Sequence, residues 1–387
     1  MKNEKTVCAK NKCTGCMACV EMCSQNAISI IDTTQNYNAV IDSQKCISCG
    51  ICTRVCQNNS ILALQRPRSW YQGWIDDEML RRESSSGGAA KAIAQQFIRD
   101  GGVVISCCFS SGKFCFRAVE DIEKLNCFTG SKYVKSNPSG VYKKIRELLR
   151  QSRKVLFIGL PCQVGAVKTV FGESERLYTV DLICHGTPSP KVLTDYLASR
   201  KVALNEVDNI SFRYKDIFGL AKDKVPLSQP GSCDNYLLAF LCGLDYTDNC
   251  YECKYAGIAR VSDITLGDSW KSDLPEKEQR QGISLIFCQT EKGEQLLKKS
   301  KMKLFPVNLE NAISANDQLK APIPKTKKHE LFFEKYPQKN FNYATFCCIP
   351  DKCIKQRIKA VLLKVKLLRG GVSYNISITK SKRTEEI

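Results

Sequence analysis

The chain has 387 residues, with 58 Lys or Arg against 39 Asp or Glu, a formal charge of +19. Its 43% hydrophobic content is that of an ordinary globular protein, which excludes a fibrous repeat or wholesale disorder, and its length suffices for two or three domains. The 23 cysteines and only two histidines, His185 and His329, exclude most histidine-ligated metal sites and leave thiolate-held metal as the first reading. The start, MKNEKTVCAK, lacks the apolar centre of a secretory signal, and no stretch approaches the roughly 18 to 20 apolar residues of a membrane span. A cytoplasmic location is therefore expected, where thiols stay reduced and a disulfide framework is not the explanation.

Residues 13 to 23 read CTGCMACVEMC and residues 46 to 56 read CISCGICTRVC, two C-x2-C-x2-C-x3-C runs. They repeat at an offset of 33 residues, which also aligns Lys12 with Lys45, Asn26 with Asn59 and Ile28 with Ile61. Each run is followed by a short apolar strand candidate, ISII or SILAL. Three closely spaced thiolates grip one cubane while the fourth turns to its neighbour. Cys13, Cys16, Cys19 and Cys56 are thus assigned to one 4Fe-4S cluster, and Cys46, Cys49, Cys52 and Cys23 to the other. A pair of structural zinc sites is the alternative, disfavoured because such sites separate their cysteine pairs by longer loops. The block resembles bacterial-type two-cluster ferredoxins, an α+β ferredoxin-like domain assigned to residues 1–66. Ser24 and Gln57 stand where that family usually has proline, and Cys8, outside the pattern, is read as a bystander.

Beyond residue 65 helix and strand signals alternate. GGAAKAIAQQFIRDGG reads as a helix, VVISCCF as a strand, VYKKIRELLRQ as a helix, VLFIG as a strand, PCQVGAVKTVF as a helix, YTVDLIC as a strand and PKVLTDYLASRKV as a helix. This alternation predicts an α/β core around a mainly parallel sheet, with ligands outside the carboxyl ends of the strands. Three strand-to-helix turns fit that place: Ser84-Ser85-Ser86-Gly87-Gly88, Gly159-Leu160-Pro161-Cys162-Gln163 and Cys184-His185-Gly186-Thr187-Pro188. Each taken alone is equally an ordinary capped turn.

The segments SSSGG, SKYVKS, VLFIGLPCQV, VDLICHGTPSP, ISFRYK and NCYECKYAGIARVSDITLGDSW, behind the ferredoxin block, resemble the coenzyme F420 hydrogenase/dehydrogenase beta-subunit family over roughly residues 8–345. The resemblance implies an iron-sulfur flavoprotein in which FAD exchanges two electrons with a deazaflavin or another small-molecule donor or acceptor and passes them singly to clusters. It divides the chain after the ferredoxin domain into residues 67–176 and 177–345, the N- and C-terminal parts of the flavin-binding core, and 346–387. A flavin is also what hydride chemistry joined to one-electron clusters requires, and no clean G-x-G-x-x-G follows a strand. By position, Ser84, Ser85, Ser86, Gly87 and Gly88 are the first choice for the pyrophosphate, with Lys132 and Lys135 as counter-charges and Gly159, Pro161, Gln163 and Gly186 lining the pocket. His185 and Asp268 are the candidate catalytic residues, although Asp263 and Asp268 are equally turn-formers.

Cys162, Cys184, Cys250 and Cys253 lie inside the matched motifs, and the family's core cluster implies a third 4Fe-4S site on them. A rival role for Cys162 is a nucleophile activated at a helix N-terminus, with His185 as its base. The other reading of the whole chain is an electron-transfer subunit that has no substrate site and wires a catalytic partner. Three oxidised clusters at about −2 each and a FAD pyrophosphate leave a charge of roughly +11, which suits an acidic redox partner docking at the ferredoxin domain. No nucleic-acid motif appears, so no nucleic-acid partner is expected. Within 346–387, IKQRIKAVLLKVKLLR sets Ile354, Ile358, Val361, Leu362, Val365 and Leu368 on one helical face, with lysines opposite. That face either docks on the protein's own core or makes peripheral membrane contact; the rest reads as a loose tail.

Overall fold

The computed structural model describes residues 4–367. The internal repeat survives as backbone geometry. Ala18–Glu21 (α1) and Ile51–Arg54 (α2) are single helical turns at the same 33-residue offset, capped by Met17 and Gly50 with φ of 64° and 71°. Gly15 and Ser48 are also left-handed, and each aims its N–H at the sulfur two residues back, Cys13 or Cys46, at 3.4 Å. Ile28–Asp32 (β1) pairs antiparallel with Tyr37–Ile41 (β2). The expected second strand, SILAL, does not form: Ile61 is wholly exposed and Gln65 pairs with Arg260 of the core. The free edge of β2 is already taken by the N-terminal segment, where Val7 donates to Ala39 and Ile41 to Lys5.

The large sheet begins with Ser69–Ile75 (β3), followed by helices Glu78–Glu83 (α3) and Ala89–Arg99 (α4). Val103–Ser110 (β4) and Lys113–Val119 (β5) form a hairpin, then Val141–Arg150 (α5), Val155–Gly159 (β6), Pro161–Phe171 (α6), Leu177–Leu182 (β7) and Pro190–Ala198 (α7). Ile210–Tyr214 (β8), Ile217–Lys222 (β9) and Val225–Pro226 (β10) make a small separate sheet ahead of Asn235–Leu241 (α8). Ile264–Asp268 (β11), Glu276–Arg280 (α9), Ser284–Cys288 (β12), Glu291–Lys299 (α10) and Met302–Phe305 (β13) return to the large sheet. Leu309–Ala315 (α11), Lys327–Lys335 (α12), Phe341–Cys348 (α13) and Pro350–Lys364 (α14) complete the described chain.

The strand order is β13-β3-β12-β11-β7-β6-β4-β5. Strands β4, β6, β7 and β11 are contiguous and parallel, and the antiparallel steps lie at the margins. The parallel centre is apolar on both faces, as a doubly covered sheet requires. Val103, Ile105, Val155 and Phe157 pack on α5 and α6, while Val104, Leu156, Ile158 and Val180 pack on α4 and α10. The carboxyl ends of these strands, at Gly159, Leu182 and Asp268, therefore open at one edge. A helical lobe covers that edge, its core built from Tyr196, Phe212, Tyr236, Phe332 and Phe341.

In this lobe Asp245 is fully buried with no hydrogen-bond partner on either oxygen, and burial pushes its pKa up to about 8. Between about pH 4 and pH 8 the native carboxyl holds a proton that the unfolded one releases, so stability is full at the acid end and falls as pH rises. Asp245→Asn is expected to raise the thermal midpoint at pH 8, worth at most about 5 kcal/mol, with the gain vanishing toward pH 4. Melting curves of both proteins across that range check it; an unchanged difference at both ends would refute it.

Candidate iron-sulfur and strand-end site

The first cluster run is buried where the second is open. Cys13, Cys16, Cys19 and Cys56 are each 6% to 8% exposed and line one small cavity with Thr14, Met17 and Ile30. Burial, together with repulsion from Cys16, Cys56 and Cys52, pushes the Cys19 thiol up. Four such thiolates need a cation to hold their charge, which is what a cubane's irons supply. Cys8 lines this cavity too, its thiol near those of Cys13 and Cys56 and receiving the Asn58 amide at 3.8 Å. Nothing in the spacing signals Cys8, because it arrives on the segment paired to β2. Cys23, Cys46 and Cys52 pack against the same small core, and Cys49 is exposed.

The four core cysteines arrive from three loops. Cys162 sits in the first turn of α6 behind Pro161; Cys184 follows β7; Cys250 lies within a short helical turn, Asp248–Glu252, and Cys253 ends it. Burial is the main cause of a raised pKa at Cys162, and Cys253, Cys184 and Cys250 are close enough to add to it. Burial and the same neighbours push Cys184 up to about 12. That direction is the opposite of what a nucleophilic Cys162 needs. Lys135, buried and aimed at the Thr14 carbonyl at 3.4 Å, is the cation that opposes this rise at both thiols. The Cys250 sulfur is further held by the Asn249 amide at 3.7 Å and the Thr247 hydroxyl at 3.6 Å.

The two thiol groups share a wall. Cys16, Tyr142 and Tyr255 lie in one apolar cluster against which Cys162 and Cys253 pack. The Tyr255 hydroxyl donates to the Gln57 side-chain oxygen at 2.6 Å and feels the charges of Cys162, Cys253, Cys16 and Cys56. Gln57, 1% exposed, also donates to Thr14 at 3.2 Å, and its carbonyl accepts from Lys254. The departure from proline at Gln57 is thus the joint between the two domains, whereas Ser24 is exposed. Glu21 completes the joint by accepting the N–H groups of Gly140 at 2.5 Å and Lys143 at 3.2 Å, at the start of α5, where a carboxylate is favoured.

The residues assigned to a flavin are mostly engaged with the protein itself. Ser84 donates to Leu80 at 2.8 Å, Ser86 donates to Ile283 at 2.9 Å, and Ser85 accepts the N–H of Ser131 at 2.9 Å. Gly87 has no side chain because a Cβ would meet the Gly73 carbonyl at 2.3 Å, and Gly88, φ +85°, caps α4. The Lys132 ammonium is spent on the carbonyls of Phe128, Thr129 and Gly130, within 3.1 Å. Gln163 caps its own helix by accepting from Leu160 and donates to Ser136; Gly159 gives it room, and Pro161 occupies the first helical position. Gly186, φ +145°, lets the backbone pass the Tyr246 ring, which a Cβ would meet at 2.3 Å.

Asp268 is in a fork with Arg213, at 2.7 and 2.8 Å, and Arg213 also donates to the Ser85 carbonyl at 2.6 Å. Asp263 is a staple between strands, accepting from Thr179 and Thr290. His185 faces Asp268, Asp317 and Arg213, and burial holds its pKa below the usual histidine value. Arg213, in the ISFRYK segment, is the residue of this edge that no local chemical pattern marks.

Residues 152–307 match the family described as the C terminus of the beta subunit of coenzyme F420 hydrogenase/dehydrogenase. Over those residues the core of this chain is similar to that family. The matched beta-subunit region holds Cys162, Cys184, His185, Arg213, Cys250, Cys253 and Asp268, while the Ser84–Gly88 loop precedes it. Residues 12–60 match the "4Fe-4S dicluster domain" and hold all eight cysteines of the repeat. Among solved structures, a chain of the F420-reducing [NiFe] hydrogenase complex from Methanosarcina barkeri aligns with this chain at 17% identity and a TM-score of 0.48, covering 72% of this chain and 97% of that one. No curated protein matches.

Proposed function

We propose that the protein is an iron-sulfur flavoprotein oxidoreductase that exchanges electron pairs with a small molecule at the strand-end edge and moves them singly through three 4Fe-4S clusters. The observation that carries this reading is the shared wall of Cys16, Tyr255, Cys162 and Cys253, which sets a core thiol group against the first ferredoxin group. The order would be core cysteines, then the buried Cys13 set, then the exposed Cys46 set. Cys49 and Ile47, 63% exposed, mark the end at which a redox partner would dock.

FAD is the group proposed to take electrons in pairs and release them one at a time. With the Ser84 and Ser86 hydroxyls and Lys132 committed to carbonyls, what the Ser84–Gly88 loop offers a phosphate is backbone, and His185 and Gly186 stand nearest the core cysteines in sequence. The substrate class is a deazaflavin or a comparable two-electron carrier. Anaerobically purified protein is expected to hold about twelve irons and one FAD per chain, with visible absorbance that bleaches on reduction. About eight irons without flavin would replace this reading by the electron-wiring subunit.

A further inference from the structure

Helix α14 presents two unlike faces. Cys353 and Leu363 are buried, and Gln356 accepts the N–H of Cys233 at 2.9 Å, so this face docks on the helical lobe. On the other side Ile354, Ile358, Val361 and Val365 are 47%, 56%, 60% and 55% exposed, and Leu367 follows at 74%. The first four recur at i, i+4, i+7 and i+11, a single stripe along the helix. Leu362 is half-buried at its border, and Leu368 with the remaining tail lies outside the described residues.

The cations border the stripe rather than oppose it. At about 100° per residue Lys355 and Lys366 fall along one margin, Arg357 and Lys364 along the other, and all four are exposed. Tyr343 and Phe346 of α13, each 37% exposed, extend the apolar surface. The Lys339 ammonium lies 5.4 Å from the Tyr343 ring centre and the Arg357 guanidinium 5.7 Å from that of Phe346. Asp351 is the lone acid between residues 350 and 367. Among the described residues no helix is long and apolar enough to cross a membrane.

We propose that this face of α13 and α14 lies in the plane of an anionic lipid surface. The stripe would enter the headgroup boundary while the bordering lysines and arginines, their stems along the apolar surface, reach lipid phosphates. A second copy of the chain is a poorer occupant, because it would set one basic border against another. The stripe and its borders lie outside the proposed redox site, so the proposal stands independently of it.

The test is flotation of the full-length, cluster-loaded protein with vesicles of phosphatidylcholine alone and of phosphatidylcholine mixed with phosphatidylglycerol. The protein is expected to float with the anionic vesicles and far less with the neutral ones. Ile358→Asp/Val361→Asp is expected to lower partitioning at least about tenfold, and Lys355→Gln/Lys364→Gln roughly tenfold. Unchanged iron content and absorbance serve as the folding control for both. Failure to float with anionic vesicles, or equal flotation of the Asp variant, overturns the proposal. So does a dimer in solution that Ile358→Asp dissolves while vesicles bind nothing.

Discussion

Anaerobically purified Cys250→Ser/Cys253→Ser protein is expected to hold about eight irons per chain against about twelve in the unaltered protein, and to lose electron transfer from the strand-end site to the ferredoxin clusters. The two substitutions remove half of a donor set whose other members, Cys162 and Cys184, come from separate loops and are pushed toward the protonated thiol by burial. Two buried thiols would simply keep their protons. The ferredoxin clusters are expected to remain, because Cys13, Cys16, Cys19 and Cys56 sit in a cavity of their own. Iron analysis and stopped-flow reduction check this together. Twelve irons retained in the variant would refute the core ligand set, and a fall to eight with undiminished transfer would place the core cluster off the electron path.

The second large effect concerns Arg213 and Asp268. Asp268→Ala leaves the Arg213 guanidinium, whose side chain is 4% exposed, without the carboxylate that accepts its two bonds. Breaking such a pair from one side typically costs about 3 to 5 kcal/mol. Arg213→Met/Asp268→Leu, which removes both charges, is expected to recover most of that loss. Denaturant titrations of the three proteins measure it; equal stability of the single and double variants would show that the pair is not what holds β8 to the end of β11. Because Arg213 also bonds the Ser85 carbonyl, the single variant is further expected to shed any bound flavin that the intact protein retains.

Iron content in the first experiment and stability in the second read different levels of the chain. The repeat at an offset of 33 residues was legible because the pattern is local: three cysteines of each run lie within seven residues, and each turn needs left-handed backbone at a fixed distance from its cysteine. Seven of the eight helices and strands from α4 to α7 were likewise legible, β5 being the one not read, because hydrophobic period and capping residues act within a turn or two. The strand expected at SILAL does not form since pairing is a competition: the N-terminal segment holds the β2 edge. Cys8 and Gln57 stand out in the sequence only as departures from a pattern.

The cysteine spacing, the charge and the strand-helix alternation determined by themselves that this is a thiolate-metal protein with an α/β core behind a duplicated front domain. The fold alone decided which distant groups meet. Arg213 reaches Asp268 across 55 residues, Tyr255 reaches Gln57 across 198, and Lys132 spends on nearby carbonyls the charge that position alone had reserved for phosphate. It also turned the α14 stripe outward, because Cys353 and Leu363 satisfy the lobe from the opposite side. Such pairings depend on contact order and on which surfaces have already been buried, and neither is written in any local window of residues.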